Sequence, residues 1–434
     1  MSLKFGTDGV RAEAFTVLTT QYVAALARAA AQVLGGGDWL IGRDTRESGP
    51  GLEAAVAAGL AAGGARPASV GVVPTPALAW LSAQRGVPAA MITASHNPWQ
   101  DNGVKFFAPG GLKLSDSVER AIESLLSLDG PAPHPVVAAH SSGLDDYLGH
   151  VVAINGSTLV GLRVVLDCAN GAMSVAAPAA FRALGADVVV IHDSPNGRNI
   201  NDHCGATHVQ SLAAAVVAEG AALGLAFDGD GDRVIAIDEL GNAVDGDRLI
   251  ALAALQLRDE GRLHADTVVV TVMSNLGFHK AMAAAGIEVL TTAVGDRYVL
   301  EALDAHGHSV GGEQSGHIIY RDLATTGDGL LAGMRLAQFV HGGGHSLAAM
   351  ARGVMASYPQ VLLNVQVRER HPSAADELAA EIRSAEVALG GDGRILVRAS
   401  GTEPLIRVMV EAATEAIAQS VAEELVKAVV ARFG

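Results

Sequence analysis

The sequence predicts an α/β fold that ends in a small α+β domain, and three observations carry that expectation. Apolar runs of strand length alternate with Ala/Leu-rich helical segments through most of the 434 residues, the pattern of parallel strands joined by crossover helices. Polar, glycine-rich loops recur at strand ends, as strand-loop-helix units from related domains would give, although no repeat exists at the level of residue identity. From residue 359 the pattern changes to a short alternating strand, a helix, a strand pair and a final helix.

In order along the chain, Thr20 to Leu34 reads as a helix and Trp39-Leu40-Ile41-Gly42 as the strand after it. Val87 to Ile92 reads as a buried strand, and Asn97-Pro98 stops any continuation. The stretch Asp129 to Gly143, with Pro131, Pro133 and Pro135, breaks all periodicity and marks the first boundary. Arg163 to Asp167 is the next strand, followed by a helix from Ala176 to Leu184. Leu223 to Phe227 and Val234 to Asp238 then flank an acidic loop. Thr267 to Val272, Gly277 to Ala285 and Ile287 to Leu290 repeat strand, helix, strand. Leu362 to Arg368 alternates like a strand, Ser373 to Leu389 is helical, and a strand pair brackets Ser400-Gly401-Thr402. Boundaries near Asp245-Gly246-Asp247 and Arg352 to Tyr358 complete four domains: 1–149, 150–247, 248–358 and 359–434.

Half the residues are hydrophobic, enough for several cores, and the formal charge is −16. That charge argues against a nucleic-acid partner or an anionic membrane surface, so an anionic small substrate would need a locally basic pocket. Cys168 and Cys204 fit neither a disulfide framework nor a zinc pattern, and read as small core or loop residues. The N-terminus shows no charged-then-apolar leader, and apolar stretches such as Leu212 to Phe227 are too short to span a membrane and are broken by Glu219 and Gly220. Only five lysines occur, Lys4, Lys105, Lys113, Lys280 and Lys427, so a well-placed lysine carries more weight than an arginine.

Five loops carry candidate chemistry. Thr93-Ala94-Ser95-His96-Asn97-Pro98 presents a lone hydroxyl at a strand's end, where reacting groups are often held, although the same residues also suit an ordinary turn. A serine-hydrolase reading lacks the Gly-x-Ser-x-Gly elbow, and His96, as the next residue, is expected to point away from Ser95. Asp228-Gly229-Asp230-Gly231-Asp232-Arg233 alternates three carboxylates with glycines that let them converge on a hard cation. An EF-hand or a solvated acidic turn are the alternatives, but Arg233 stands where the EF-hand needs glycine. Arg398-Ala399-Ser400-Gly401-Thr402-Glu403-Pro404 with Arg407 offers two hydroxyls, a glycine amide and two guanidiniums to a phosphate monoester, or forms a plain hairpin turn. Gly311 to His317 places Glu313, Gln314, Ser315 and His317 on a loop able to read sugar hydroxyls, or to serve only as a flexible connection. Gly6 to Arg11 adds an arginine beside a tight turn.

In this order and over essentially the full length, these segments resemble the α-D-phosphohexomutase family, with its phosphoserine, metal, sugar-binding and phosphate-binding loops. Gly312-Glu313-Gln314-Ser315-Gly316-His317 and Val294-Gly295-Asp296-Arg297-Tyr298-Val299 have the forms expected of the branch that acts on glucosamine phosphates, while the mannose- and glucose-phosphate branches usually differ at both. Two departures, Ala12 where glycine is usual and Ala399 where proline is frequent, touch loop geometry and remove no polar contact.

The resemblance implies three similar α/β domains with mixed sheets and a smaller, lid-like C-terminal domain. It also implies a cytoplasmic isomerase making glucosamine 1-phosphate for amino-sugar nucleotides. A phosphorylated Ser95 facing three aspartates would suffer prohibitive repulsion unless a divalent cation intervened, so Asp228, Asp230, Asp232 and a phosphate oxygen on Ser95 would hold one Mg²⁺ per chain. A hexose 1,6-bisphosphate would be intermediate and primer. Arg398, Ser400, Gly401, Thr402 and Arg407 would clamp the other phosphate, and Glu313, Ser315 and His317 would hold the ring. Lys105 is the first candidate for proton transfer or charge neutralisation, with His96 and Arg11 near it and Arg233 offsetting the metal loop. The sequence leaves the assembly open, a homodimer included. Alternatives are a phosphomannomutase or phosphoglucomutase, a metal-dependent phosphatase, and a phosphosugar-binding regulator without catalysis.

Overall fold

The computed structural model describes residues 3–6, 8–128, 139–400 and 404–434. Thr7, Gly401, Thr402, Glu403 and the proline-containing stretch of the first boundary lie outside them. The chain forms two compact units, Met1–Met273 with Ile287–Val354, and Ser274–Gly286 with Met355–Gly434.

The larger unit contains three sheets. The first comprises β1 (Val10–Glu13), β2 (Gly37–Arg43), β3 (Ala65–Val72), β4 (Ala89–Ile92), β5 (Asp101–Ala108), β6 (Leu112–Lys113) and β7 (Ala139–His140). The second holds β8 (Arg163–Asp167), β9 (Asp187–Ile191), β10 (Leu223–Phe227), β11 (Val234–Asp238) and β12 (Ala243–Val244). The third holds β13 (Thr267–Thr271), β14 (Glu288–Thr292), β15 (Val310–Gly312) and β16 (Ile318–Tyr320).

All three repeat one arrangement. The orders β5-β4-β2-β3, β11-β10-β8-β9 and β16-β15-β13-β14 are equivalent, each with three parallel strands and an antiparallel strand at the edge of the set. In each, the candidate loop joins the third strand to its antiparallel neighbour: residues 93–100, 228–233 and 313–317. The acidic loop runs between two strands, as its flanks predict, and the other two also lead into strands and not into the helices that strand-loop-helix units would require. The physical reason is length, because a parallel return needs a crossover of a dozen or more residues and these loops are too short for one.

Hydrophobic burial between helices and sheet sets the layers. The Thr19 hydroxyl caps the helix Thr20–Leu34 by accepting from the Tyr22 amide, and Val23, Leu26, Ala27 and Ala30 are buried on that helix. It packs against the helix Gly49–Ala62 so closely that a Cβ on Gly59 would lie 2.1 Å from the Ala24 carbonyl oxygen. Beneath them Trp39 and Phe106 meet edge to face at 6.1 Å. Cys168 and Cys204 are buried and unpaired.

In the smaller unit β17 (Gln360–Gln366), β18 (Gly393–Ala399) and β19 (Leu405–Ala412) form an antiparallel sheet in the order β17-β19-β18. The single helix expected over 373–389 divides into Ala374–Glu377 and Ala379–Leu389 at Leu378, whose backbone leaves the helical region while its side chain enters the core. The helix Leu276–Ala284, which the sequence reading assigns to the third α/β domain, clusters with this unit, its Leu276 amide donating to Glu411 Oε2 at 2.8 Å. Among the described residues, no helix is long and apolar enough to cross a membrane.

Candidate active site

Ser95 follows β4 in a left-handed backbone conformation, φ +51°, which a non-glycine residue holds only when its surroundings enforce it. The enforcement is visible. The Ser95 amide donates to Thr93 Oγ1 at 2.9 Å, and the Ser95 and Asn97 carbonyls each accept from both Arg46 and Asn201 at 2.6–3.1 Å. Arg46 is itself buried and paired with Asp44. Ser95 is buried, not exposed as a loop position suggested, and its Oγ donates to Asp228 Oδ2 at 2.6 Å. His96 does not turn away either, since its Nδ1 lies 3.4 Å from Ser95 Oγ.

Asp228, Asp230 and Asp232 project from the hairpin between β10 and β11, and each offers an oxygen within 4.8 Å of the others. Their antiparallel strand flanks exclude the helix-loop-helix of an EF-hand. Gly229 is required sterically, because a Cβ there would lie 2.6 Å from the Ser95 carbonyl and 2.9 Å from Asn201 Nδ2. Burial, then Asp232 and Asp230, push the Asp228 carboxyl up to about 8. Buried Asp230 Oδ1 and Asp232 Oδ1 make no hydrogen bond to a described residue. Three crowded carboxylates with oxygens unused fit a hard divalent cation.

Opposing charge comes from the first sheet. Lys105 on β5 reaches Asp230 Oδ2 at 3.0 Å, Asp8 Oδ2 at 3.2 Å and Asp232 Oδ2 at 3.3 Å. Burial would lower its pKa, but Asp230, Asp8 and Asp232 outweigh that and hold it well above the usual lysine range. Arg11 pairs with Asp8, and Lys113 pairs with Asp8 and with Asp296. Burial would raise the Asp8 carboxyl, yet Lys105, Lys113 and Arg11 keep it well below the usual range. For His96, burial and then the Arg233 and Arg11 charges depress the imidazole to about 4. Arg233 Nε lies 3.9 Å from Asp232 Oδ1.

From the third sheet, Glu313 Oε1 accepts from the Gly295 amide at 3.2 Å, and His317 is buried with Nδ1 3.7 Å from Asp232 Oδ1. His317 Nε2 lies 3.0 Å from the Gly327 amide and 3.2 Å from Asp296 Oδ2, so it accepts from the first when neutral or donates to the second when charged. Against burial, Asp296 and Asp232 raise its pKa, which favours the charged form. A cavity of about 350 Å³ opens here, lined by Asp8, Asp232, Arg233, Asp296, Glu313 and Ser315 among others, within the size range of small-molecule sites.

In the smaller unit, Arg398 and Arg407 stand directly opposite on β18 and β19, and neither forms an ion pair among the described residues. Burial and then Arg407 lower the Arg398 pKa, a like-charge arrangement that an anion would relieve. Ser400 begins the loop, its amide donating to the Leu405 carbonyl at 2.7 Å, while Gly401 and Thr402 fall outside the described residues.

Four domain families, all described as phosphoglucomutase/phosphomannomutase, match in sequence: domain I at residues 2–129, domain II at 145–241, domain III at 245–358 and the C-terminal domain at 362–428. Curated phosphoglucosamine mutases are similar over their whole length. One from Frankia casuarinae is 51% identical, covering 97% of this chain and 96% of that protein, and one from Mycobacterium sp. (strain KMS) is 50% identical with 99% of each covered. The chain belongs to the phosphohexomutase family, in its phosphoglucosamine mutase branch. Aspergillus fumigatus N-acetylphosphoglucosamine mutase, solved with GlcNAc-6P and magnesium, shares the fold at a TM-score of 0.72 and 19% identity, covering 99% of this chain and 96% of that one.

Within this phosphohexomutase the structure gathers Arg11, Ser95, His96, Lys105, Asp228, Asp230, Asp232, Arg233 and His317 around the three hairpins, with Glu313 and Ser315 on the cavity wall. Arg398, Ser400 and Arg407 share the smaller unit. Sequence reasoning passed over Asp8, Lys113, Asp296 and Thr75, whose Oγ1 donates to Asp230 Oδ2 at 2.5 Å. Signals existed for three of them. Asp8 sits in the N-terminal motif, Lys113 is one of five lysines, and Asp296 lies in a segment used only to tell branches apart. Thr75 gave none, because Pro74-Thr75-Pro76 reads simply as a helix start.

Proposed function

We propose that this enzyme interconverts glucosamine 6-phosphate and glucosamine 1-phosphate with Ser95 as the phosphoryl carrier. The observation that supports this best is the Ser95 hydroxyl, buried 2.6 Å from Asp228 in a cluster with Asp230, Asp232 and Lys105. A nucleophile that only exchanged with bulk water would have no need of a sugar-binding loop and a separate pair of arginines. In the forward direction the phosphoryl group on Ser95 passes to the C1 hydroxyl of glucosamine 6-phosphate. The bond between phosphorus and Ser95 Oγ breaks, the sugar oxygen gains it, and a basic group takes the hydroxyl proton. The resulting 1,6-bisphosphate turns end for end and returns its 6-phosphoryl group to Ser95.

Asp228, Asp230 and Asp232 would hold one Mg²⁺ with a phosphate oxygen on Ser95, the same ion with which the Aspergillus enzyme was solved. Bound there, it would act as a Lewis acid toward the phosphoryl oxygens. Lys105, kept cationic by its carboxylates, neutralises charge on the transferring group, with Arg11 adding to the positive field. His96 Nδ1, 3.4 Å from Ser95 Oγ, is a candidate to take the hydroxyl proton. Glu313, Ser315 and His317 hold the ring, while Arg233 balances the acidic hairpin. Arg398, Ser400, Gly401, Thr402 and Arg407 take the phosphate that is not being transferred. A hexose 1,6-bisphosphate would prime unphosphorylated enzyme. We place the enzyme in the cytoplasm, and a homodimer is the assembly to test by sedimentation velocity.

The test supplies glucosamine 6-phosphate, Mg²⁺ and a catalytic amount of hexose 1,6-bisphosphate, with phosphorus NMR as the readout. Glucosamine 1-phosphate is the expected product. Inorganic phosphate would point instead to a phosphatase, no turnover to a binder, and better turnover of mannose 1-phosphate to another branch.

A further inference from the structure

Glucosamine phosphates differ from glucose phosphates by an ammonium group at C2 where glucose has a hydroxyl. A site that prefers the amino sugar needs a carboxylate oxygen facing the substrate and not already spent on a protein cation. Four carboxylates line the cavity, those of Asp8, Asp232, Asp296 and Glu313. Asp8 is saturated, Oδ1 by Lys113 and Oδ2 by Arg11 and Lys105. Asp232 belongs to the candidate metal set and to Lys105. Glu313 forms no ion pair among the described residues, Oε1 accepting from the Gly295 amide, and is the rival candidate that the test below separates.

Asp296 is different. Its Oδ2 takes both the Lys113 and the His317 contacts, and Oδ1 makes no hydrogen bond to a described residue. The residue opens the helix Asp296–His306, where the helix dipole favours an anion, and the two contacts on Oδ2 fix the direction of the carboxylate.

We infer that Asp296 is a specificity-determining residue, its Oδ1 accepting a charge-assisted hydrogen bond from the C2 ammonium of the amino sugar. The inference rests on the glucosamine phosphate reading above. Asp296→Asn keeps the shape and removes the charge. Its kcat/KM for glucosamine 6-phosphate should fall about 10- to 100-fold more than that for glucose 6-phosphate, as expected for losing a hydrogen bond to a charged group. Asp296→Glu, which retains the charge, should keep a preference for the amino sugar. Lys113→Met, which removes one of the two contacts that orient the carboxylate but leaves its charge, should weaken that preference less than Asp296→Asn does, and Glu313→Gln should weaken both sugars alike.

Where glucose 6-phosphate turns over too slowly to follow, affinities of the two phosphosugars by isothermal titration calorimetry give the same ratio. Equal losses for both sugars in Asp296→Asn would reduce the residue to a link between elements. A larger change in the ratio with Glu313→Gln would transfer the role to Glu313. If the unaltered enzyme itself fails to prefer glucosamine 6-phosphate, the functional reading falls, and with it the need for a reader of the ammonium.

Discussion

Ser95 and Lys105 show how much of this site depends on single atoms. The Ser95 hydroxyl is buried against a carboxylate whose pKa is pushed up to about 8, so neither group would be tolerated there for stability alone. Ser95→Ala removes the carrier atom without enlarging the side chain, and mutase turnover should drop by at least about 10³-fold while the melting temperature hardly moves. Retention of wild-type turnover would eliminate the phosphoserine route. Lys105 sits among three carboxylates, and Lys105→Met removes the cation paired with Asp230 and Asp232 while Asp8 keeps Arg11 and Lys113. We expect kcat to fall about 10²- to 10³-fold, read by the same phosphorus NMR assay, with a smaller change in KM. A selective loss of affinity with normal kcat would instead make Lys105 a binding residue.

At the scale of elements, the hairpin between β10 and β11 works only because glycine lets it approach the Ser95 loop. Gly229→Ala would drive a methyl group into the Ser95 carbonyl, costing about 1–3 kcal/mol of stability, and should lower turnover together with the melting temperature. An unchanged melt would show that the loops separate without cost. The helix Gly329–Gly342 is capped by Asp328, which accepts from the Leu331 amide at 2.9 Å and from the Tyr147 hydroxyl on both oxygens. Burial raises this carboxyl from the usual 3.8 to about 6. The folded state therefore binds the proton more tightly than the unfolded chain, and this group's contribution to stability declines as pH rises from about 4 to about 6. Compared with Asp328→Asn, which keeps the cap without the titration, the wild type should lose up to about 3 kcal/mol across that window. Denaturant melts at several pH values read the difference, and a constant difference between the two proteins would contradict the assignment.

Over the larger unit, three equivalent sheets direct three equivalent hairpins toward one another. Ser95 of the first meets Asp228 of the second, and the Val234 amide of the second donates to the Gly316 carbonyl of the third at 3.0 Å. Lys113 ties the first sheet to Asp296, and Arg297 pairs with Asp116 and Glu119. A cation on the three aspartates would bind only the folded arrangement, so Mg²⁺ at about 100 times its Kd should add about 2.7 kcal/mol. Calorimetry should show a higher melting temperature with Mg²⁺, a reversal with EDTA, and no shift in Asp230→Asn. A Mg²⁺ shift that persists in that variant would place the ion elsewhere.

Strands such as Arg163–Asp167, Leu223–Phe227 and Val234–Asp238 were legible to the residue because hydrophobic runs and their turn residues are local signals. The acidic hairpin, the serine loop and the opposed arginines were legible for a related reason, since each concentrates its chemistry within a few consecutive residues. What the sequence by itself determined is therefore the fold class, the order of the loops and the family. Tertiary structure alone decided that Ser95 is buried, that His96 faces it, and that the serine and sugar loops, like the acidic one, return as strands. It also brought Asp8, Thr75, Lys113 and Asp296 to the site from positions scattered through the chain. Those roles depend on distances between groups far apart in sequence, and such distances follow from how sheets and helices bury their apolar faces, which no local pattern encodes.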